Sequence, residues 1–172
     1  MKGAAALDKE TCLSIIQDIF STNEFVKHCG IIIDDVECGV SHLHMDIKSD
    51  IHTNLTGYVH GGALNTLANT AVGVACCTVG ARTVTLNITT DFISNLQAGH
   101  TAWAESRVKH RGHSTIVLTC DIFEKMPDGT KRPLTHSIAS MYVKADDDRV
   151  PKKWSSKKLC SQNIREQSFY YV

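Results

Sequence analysis

The sequence predicts an α+β domain in which a curled antiparallel sheet wraps one long central helix. Three observations on the 172-residue chain predict it. From Ile51 to Ala81 there is no Asp, Glu, Lys or Arg, so a helix in this stretch is buried on most sides. After it the hydrophobic pattern switches to period two, and glycine or proline turn signals separate the resulting strands.

The chain opens with a helix over Asp8–Phe20, with Leu13, Ile16, Ile19 and Phe20 at helical spacing and Asp8 as its cap. A short helical turn follows over Asn23–His28. Ile31–Val36 and Val40–Ile47 form a hairpin around Glu37-Cys38-Gly39. In the charge-free run, Leu64, Leu67, Ala68, Ala71, Ala75 and Thr78 share one helix face, and Gly62, Thr66, Asn69 and Gly73 share the opposite one. Four more strands are expected over Thr83–Phe92, Thr101–His110, Ser114–Phe123 and Leu134–Val143, punctuated by Gly99, Gly112 and Pro127-Asp128-Gly129. A sheet around the helix hides its apolar face. The expected organisation is a helical segment over 1–29, the main domain over 30–144, and a polar tail over 145–172 that docks through Trp154 or Phe169–Tyr171.

Composition limits what the domain can do. Eighteen basic residues balance eighteen acidic ones, which argues against nucleic acid or an acidic membrane as partner. With 42% apolar and 21% charged residues the chain is a folding one. The polar Asn54, Asn65 and Asn69 and five glycines in the charge-free run speak against a membrane span. Asp8, Lys9 and Glu10 interrupt the early small-residue stretch before a signal-peptide core forms, so a cytoplasmic protein is expected. Seven cysteines without a C-x-x-C pair read as small buried thiols. His42, His44 and His52 lack the partners of a metal site, and no metal or cofactor is expected.

The chemistry-bearing segment runs from Asn54 through His60-Gly61-Gly62 to Asn69. A histidine and two glycines at a helix entry leave backbone N–H groups accessible at the positive end of the helix dipole, which suits an anion or oxyanion. The rival reading is that Gly61 and Gly62 only permit close packing.

This segment resembles the HGG motif of hotdog-fold acyl-CoA thioesterases, of the phenylacetic-acid-degradation type and the related thioesterase-superfamily-member-2 type. The similarity continues through Thr83–Thr89, Gly99 and Arg111-Gly112, and spans about residues 30–144. It implies a hotdog fold, side-by-side subunit pairing, assembly to a dimer or tetramer, and active sites at the subunit interface. It also implies that the Gly61 N–H polarises the thioester carbonyl, with His60 beside it and Asn54 orienting water or substrate. Thr83, from the neighbouring subunit, would help hold the attacking water. Each has a plainer rival: Asn54 shapes a turn, His60 caps the helix, and Thr83 is an ordinary strand residue.

Asn69 departs from the pattern that the resemblance implies, because the family normally carries Asp there, or Glu at a nearby helix position, as general base or nucleophile. An amide cannot accept water's proton at neutral pH, and the helix holds no other acid. The chain is therefore read as a thioesterase scaffold impaired by an inactivating replacement at 69; the alternative is a non-hydrolytic acyl-CoA-binding or sensing module. For the CoA moiety the candidates are Gly62 and the cations Lys109, Arg111 and His113 around Gly112, against the reading of a solvated hairpin tip. Lys131 and Arg132 are weaker candidates, and Trp103 is expected to pack rather than stack on adenine.

Overall fold

Helix α1 (Lys9–Ser21) starts at Asp8, whose carboxylate accepts the Thr11 N–H, and α2 (Glu24–His28) starts at Asn23, which accepts from Phe25 and Val26. The computed structural model describes residues 8–150. Cys12 and Ile16 of α1 and Val26 of α2 join the central core, so the N-terminal segment is packed onto the domain rather than appended to it.

Strands β1 (Ile31–Glu37) and β2 (Val40–Asp46) form the expected hairpin, and Gly39 takes the left-handed conformation (φ +80°) that this tight turn requires. Helix α3 (Gly61–Cys77) follows, then β3 (Ala81–Phe92), β4 (Thr101–Arg111), β5 (Thr115–Lys125) and β6 (Lys131–Asp146). The six strands make one antiparallel sheet in the order β1-β2-β4-β5-β6-β3. Its curl encloses α3, which packs against β2, β3, β4 and β5. Leu67, Ala68, Ala71 and Ala75 are sealed beneath the sheet. Two bonds tether the C-terminal half of the helix to the β1–β2 hairpin: Ser41 Oγ donates to the Ala71 carbonyl, and the Gly39 N–H donates to Thr78 Oγ1, both at 2.8 Å. The antiparallel sheet wrapped around a long helix is the predicted hotdog architecture.

The opposite face of α3 behaves as its composition predicts, with Gly62 and Asn69 exposed and Thr66 and Gly73 half-buried. Beside it lies β3, an edge strand carrying exposed Val84, Leu86 and Phe92. A twelve-residue edge strand with apolar side chains is a template for pairing with another chain.

Two expectations need correction. Strand β6 runs to Asp146, beyond the expected end of the domain at 144, and Val150 is fully buried, so the fold continues into the expected tail. Cys12, Cys29, Cys76, Cys77 and Cys120 are buried free thiols as expected, whereas Cys38 is disulfide-bonded. Trp154 and Phe169–Tyr171 lie outside the described residues. No helix among the described residues is long and apolar enough to cross a membrane.

Candidate functional site

The N-terminus of α3 is assembled from the loop before it. His60 is the N-cap: its Nδ1 accepts the Gly62 N–H at 2.9 Å, and its carbonyl accepts the Ala63 N–H. An accepting Nδ1 places the ring proton on Nε2. The cap thus satisfies the second and third amides of the helix, while the first, that of Gly61, meets no acceptor among the described residues. Gly61 lines a cavity of about 350 Å³ with Asn54, Tyr58, Phe92 and Ser94. A Cβ on Gly61 would lie 3.0 Å from the Phe92 ring, so glycine is what lets that ring, or a ligand in its place, approach the free amide.

Asn54 serves the loop first. Its Oδ1 accepts from the Thr56 N–H, the Thr56 hydroxyl and the Tyr58 N–H, at 2.9, 2.7 and 3.3 Å. That is the turn-shaping reading, and it leaves the Nδ2 amide as the group Asn54 can offer to the cavity.

His52 anchors the same loop from below. It is 2% exposed, its Nδ1 accepts the Lys48 N–H at 3.0 Å, and its carbonyl accepts the His60 N–H at 2.7 Å. Burial holds its pKa below the usual 6.5. The unfolded chain therefore binds a proton near pH 6.5 that the folded chain refuses, so this contribution is present in full above that pH and is lost as pH falls below it. Urea unfolding at pH 7.5 and 5.5 should show a smaller loss of stability in His52→Gln than in the unaltered chain; equal losses would dismiss His52 as the titrating anchor.

Asn69 belongs to a different groove, of about 400 Å³, which it lines with Thr83, Thr85, Gly73, Phe20 and Met141. The Thr85 hydroxyl donates to Asn69 Oδ1 at 2.7 Å, and the Thr90 hydroxyl donates to Asn65 Oδ1 at 2.8 Å, so two asparagines one helical turn apart clip α3 to β3. Thr83 is half-buried on β3. Sequence reasoning missed Thr85: a register shift between Thr85 and Asn87 lets threonines five residues apart on β3 meet asparagines four apart on α3, and nothing local marks it.

Within one chain, then, Gly61, His60 and Asn54 stand together, Asn69 and Thr83 stand together, and the two groups are separate. Eight residues of α3 part Gly61 from Asn69, about 12 Å of helix.

The expected cation cluster is divided. A bulge between Val108 and His110 shifts the alternation of β4, so Arg111 pairs with buried Ile116 and turns toward Asp146, 3.7 Å away. Its Nε and NH2 are buried without a hydrogen-bond partner among the described residues. His113 stays exposed at the tip, and Lys109 is half-buried on the strand. Lys131 faces Glu105 at 3.4 Å, Arg132 is bonded to Glu124, and Trp103 packs between His44 and Lys125. His44 is held by Asp34. Among the described residues no three His, Cys, Asp or Glu side chains converge as metal ligands would.

Comparison with known proteins bears on this arrangement. Residues 56–128 match the model of the Thioesterase superfamily. The acyl-coenzyme A thioesterase PaaI of Escherichia coli K12 is 31% identical over 106 residues, covering 60% of this chain and 74% of that protein. The structure of the E. coli PaaI protein aligns with a TM-score of 0.72 at 23% identity, over 81% of this chain and 97% of that one. A hypothetical thioesterase protein from Streptococcus pneumoniae TIGR4, solved with coenzyme A, aligns with a TM-score of 0.69 at 20% identity, over 77% of this chain and 99% of that one. The 31% identity to PaaI over 74% of that protein, with the match to the superfamily model and the common fold, places this chain in the thioesterase superfamily of hotdog proteins.

Proposed function

We propose that this protein is an acyl-CoA thioesterase scaffold that binds its substrate across two subunits and, with asparagine at position 69, hydrolyses it slowly. The observation that carries the proposal is the division of the site. The free Gly61 N–H is a donor for a carbonyl oxygen that becomes an oxyanion, and it sits about 12 Å along the helix from the position where a base is needed. One thioester carbonyl cannot reach both in a single chain. A second copy, paired through the exposed β3 edge, brings its Gly61, His60 and Asn54 to the Asn69 and Thr83 of the first. Gly62 supports this arrangement by holding the capping imidazole: a Cβ there would lie 2.9 Å from His60 Nδ1.

In the full reaction, water attacks the carbonyl carbon, the C–S bond breaks, and the CoA thiolate leaves and takes up a proton. Gly61 stabilises the charge on oxygen; Thr83 and the group at 69 face the attacking water. PaaI's designation as an acyl-CoA thioesterase and the coenzyme A bound to the pneumococcal protein support the substrate class. A non-hydrolytic acyl-CoA-binding module is favoured by one observation, the accommodation of Asn69 in the same asparagine–threonine clip as Asn65. Binding and thiol-release assays on an acyl-CoA panel, with sedimentation, test the proposal. Tight binding, slow release and a dimer or tetramer are expected; a monomer without affinity for any acyl-CoA would overturn it.

Lys109, Arg111 and His113 remain the proposed contacts for the nucleotide phosphates, with Arg111 required to leave Asp146 to reach them. Arg111→Ala should then weaken CoA binding about tenfold and flatten its salt dependence. Unchanged affinity at every salt concentration would leave Arg111 to its role beside Asp146. A cytoplasmic location is part of this proposal; five buried free thiols support it, and the disulfide at Cys38 counts against it.

A further inference from the structure

We propose that Gly73 and Phe20 set the length of the acyl group that the groove beside Asn69 accepts, an inference that rests on the acyl-CoA reading above. Gly73 lies in the interior of α3, where glycine is among the least favourable residues. Its backbone is not left-handed, so the conformation does not demand glycine. Packing does not demand it either: the nearest heavy atom to a Cβ built there is Phe20 Cζ, at 3.9 Å, an ordinary contact. The space that a Cβ would fill at Gly73 opens on the groove, with the Phe20 ring as its far wall.

Around Gly73 the groove mixes polar Asn69, Thr83 and Thr85 with apolar Ile19, Phe20, Val26 and Met141, and its charged lining, Arg82, Asp147 and Arg149, includes the Asp147–Arg149 pair bonded to itself. Asn69 and Gly73 are four residues apart on the same helix face, about 6 Å along the axis. An acyl group whose carbonyl stands at Asn69 passes over Gly73 and meets the Phe20 ring contributed by α1. The N-terminal helix thus closes the pocket that the sheet leaves open. The acyl groups that fit are short or medium alkyl chains, or one aromatic ring, and longer chains strike Phe20.

The test uses the full chain, in which Asn69 keeps thioesters intact, and equilibrium binding of acetyl-, hexanoyl-, decanoyl- and phenylacetyl-CoA. Gly73→Leu should weaken hexanoyl- and phenylacetyl-CoA at least about tenfold and acetyl-CoA little, and Phe20→Ala should improve decanoyl-CoA by a similar factor. Gly73→Ala, which the fold accommodates, should show the same ranking with smaller changes. Equal weakening of all four thioesters, or an unchanged profile, would overturn the assignment. So would dissociation of the Gly73→Leu oligomer in sedimentation, which would give the space above Gly73 to a second copy of the chain. Failure of the unaltered chain to bind any CoA thioester would remove the acyl-CoA reading itself, a result distinct from a flat length profile.

Discussion

Asn69→Asp is expected to raise thioester hydrolysis at least about a hundredfold, because removing a general base costs roughly a hundredfold to ten-thousandfold and this substitution restores one. The geometry around position 69 makes the comparison clean. The Thr85 hydroxyl donates to Asn69 Oδ1, and a carboxylate of nearly the same shape accepts the same bond. Its second oxygen then replaces an Nδ2 group that can only donate, and that oxygen can take the proton of the attacking water or attack the carbonyl itself. Position 69 is exposed in the groove, so the added charge stays solvated and the fold should be preserved. Thiol release from aliphatic and aromatic acyl-CoAs, measured beside binding for both forms, checks this. If the Asp form binds as well and is no faster on any substrate, the scaffold is a binding module.

Much of this was legible in the sequence, for reasons that separate by length scale. The charge-free run exposed α3, and its period separated the buried face of Leu67 and Ala71 from the open face of Asn69 and Gly73, because a helix repeats its environment every three to four residues. Capping by His60 and turn-shaping by Asn54 were readable as alternatives, since both are local hydrogen bonds within a few residues. The fate of Arg111 was not readable. It depends on a bulge in β4, one residue that reverses which side of the sheet everything beyond it faces, and no local composition marks it. Thr85 was missed for a related reason, since its partner Asn69 is sixteen residues away and only the folded register brings them together. The lengthening of β6 to Asp146 was hidden by the acidic run that follows Ala145, which reads as tail until strand pairing with Ala81 and Arg82 is known.

Gly61→Pro, made in the Asn69→Asp background, should lower hydrolysis about a hundredfold to a thousandfold, the usual cost of one oxyanion donor. Proline removes the N–H and adds a side chain against Phe92, and the backbone accepts it because Gly61 is the first residue of α3, the one helical position where proline is welcome. His60 already has the extended backbone (φ −71°, ψ 133°) that a following proline requires. Gly61→Ala is the control: it adds a comparable contact with Phe92 and keeps the N–H, so any steric effect appears there alone. The double variant also tests where the site lies. It retains an intact carboxylate half, and the unaltered chain retains an intact Gly61 half, so neither completes a site by itself. Coexpressed in equal amounts, half of the pairs are mixed and each mixed pair holds one complete site in two, which predicts about a quarter of the activity of Asn69→Asp. Recovery near that value requires Gly61 and the group at 69 to come from different subunits, as the proposed division of the site between two chains implies. No recovery in verified mixed pairs would place the whole site within one chain, and a double variant as fast as Asn69→Asp would take the Gly61 amide out of the reaction.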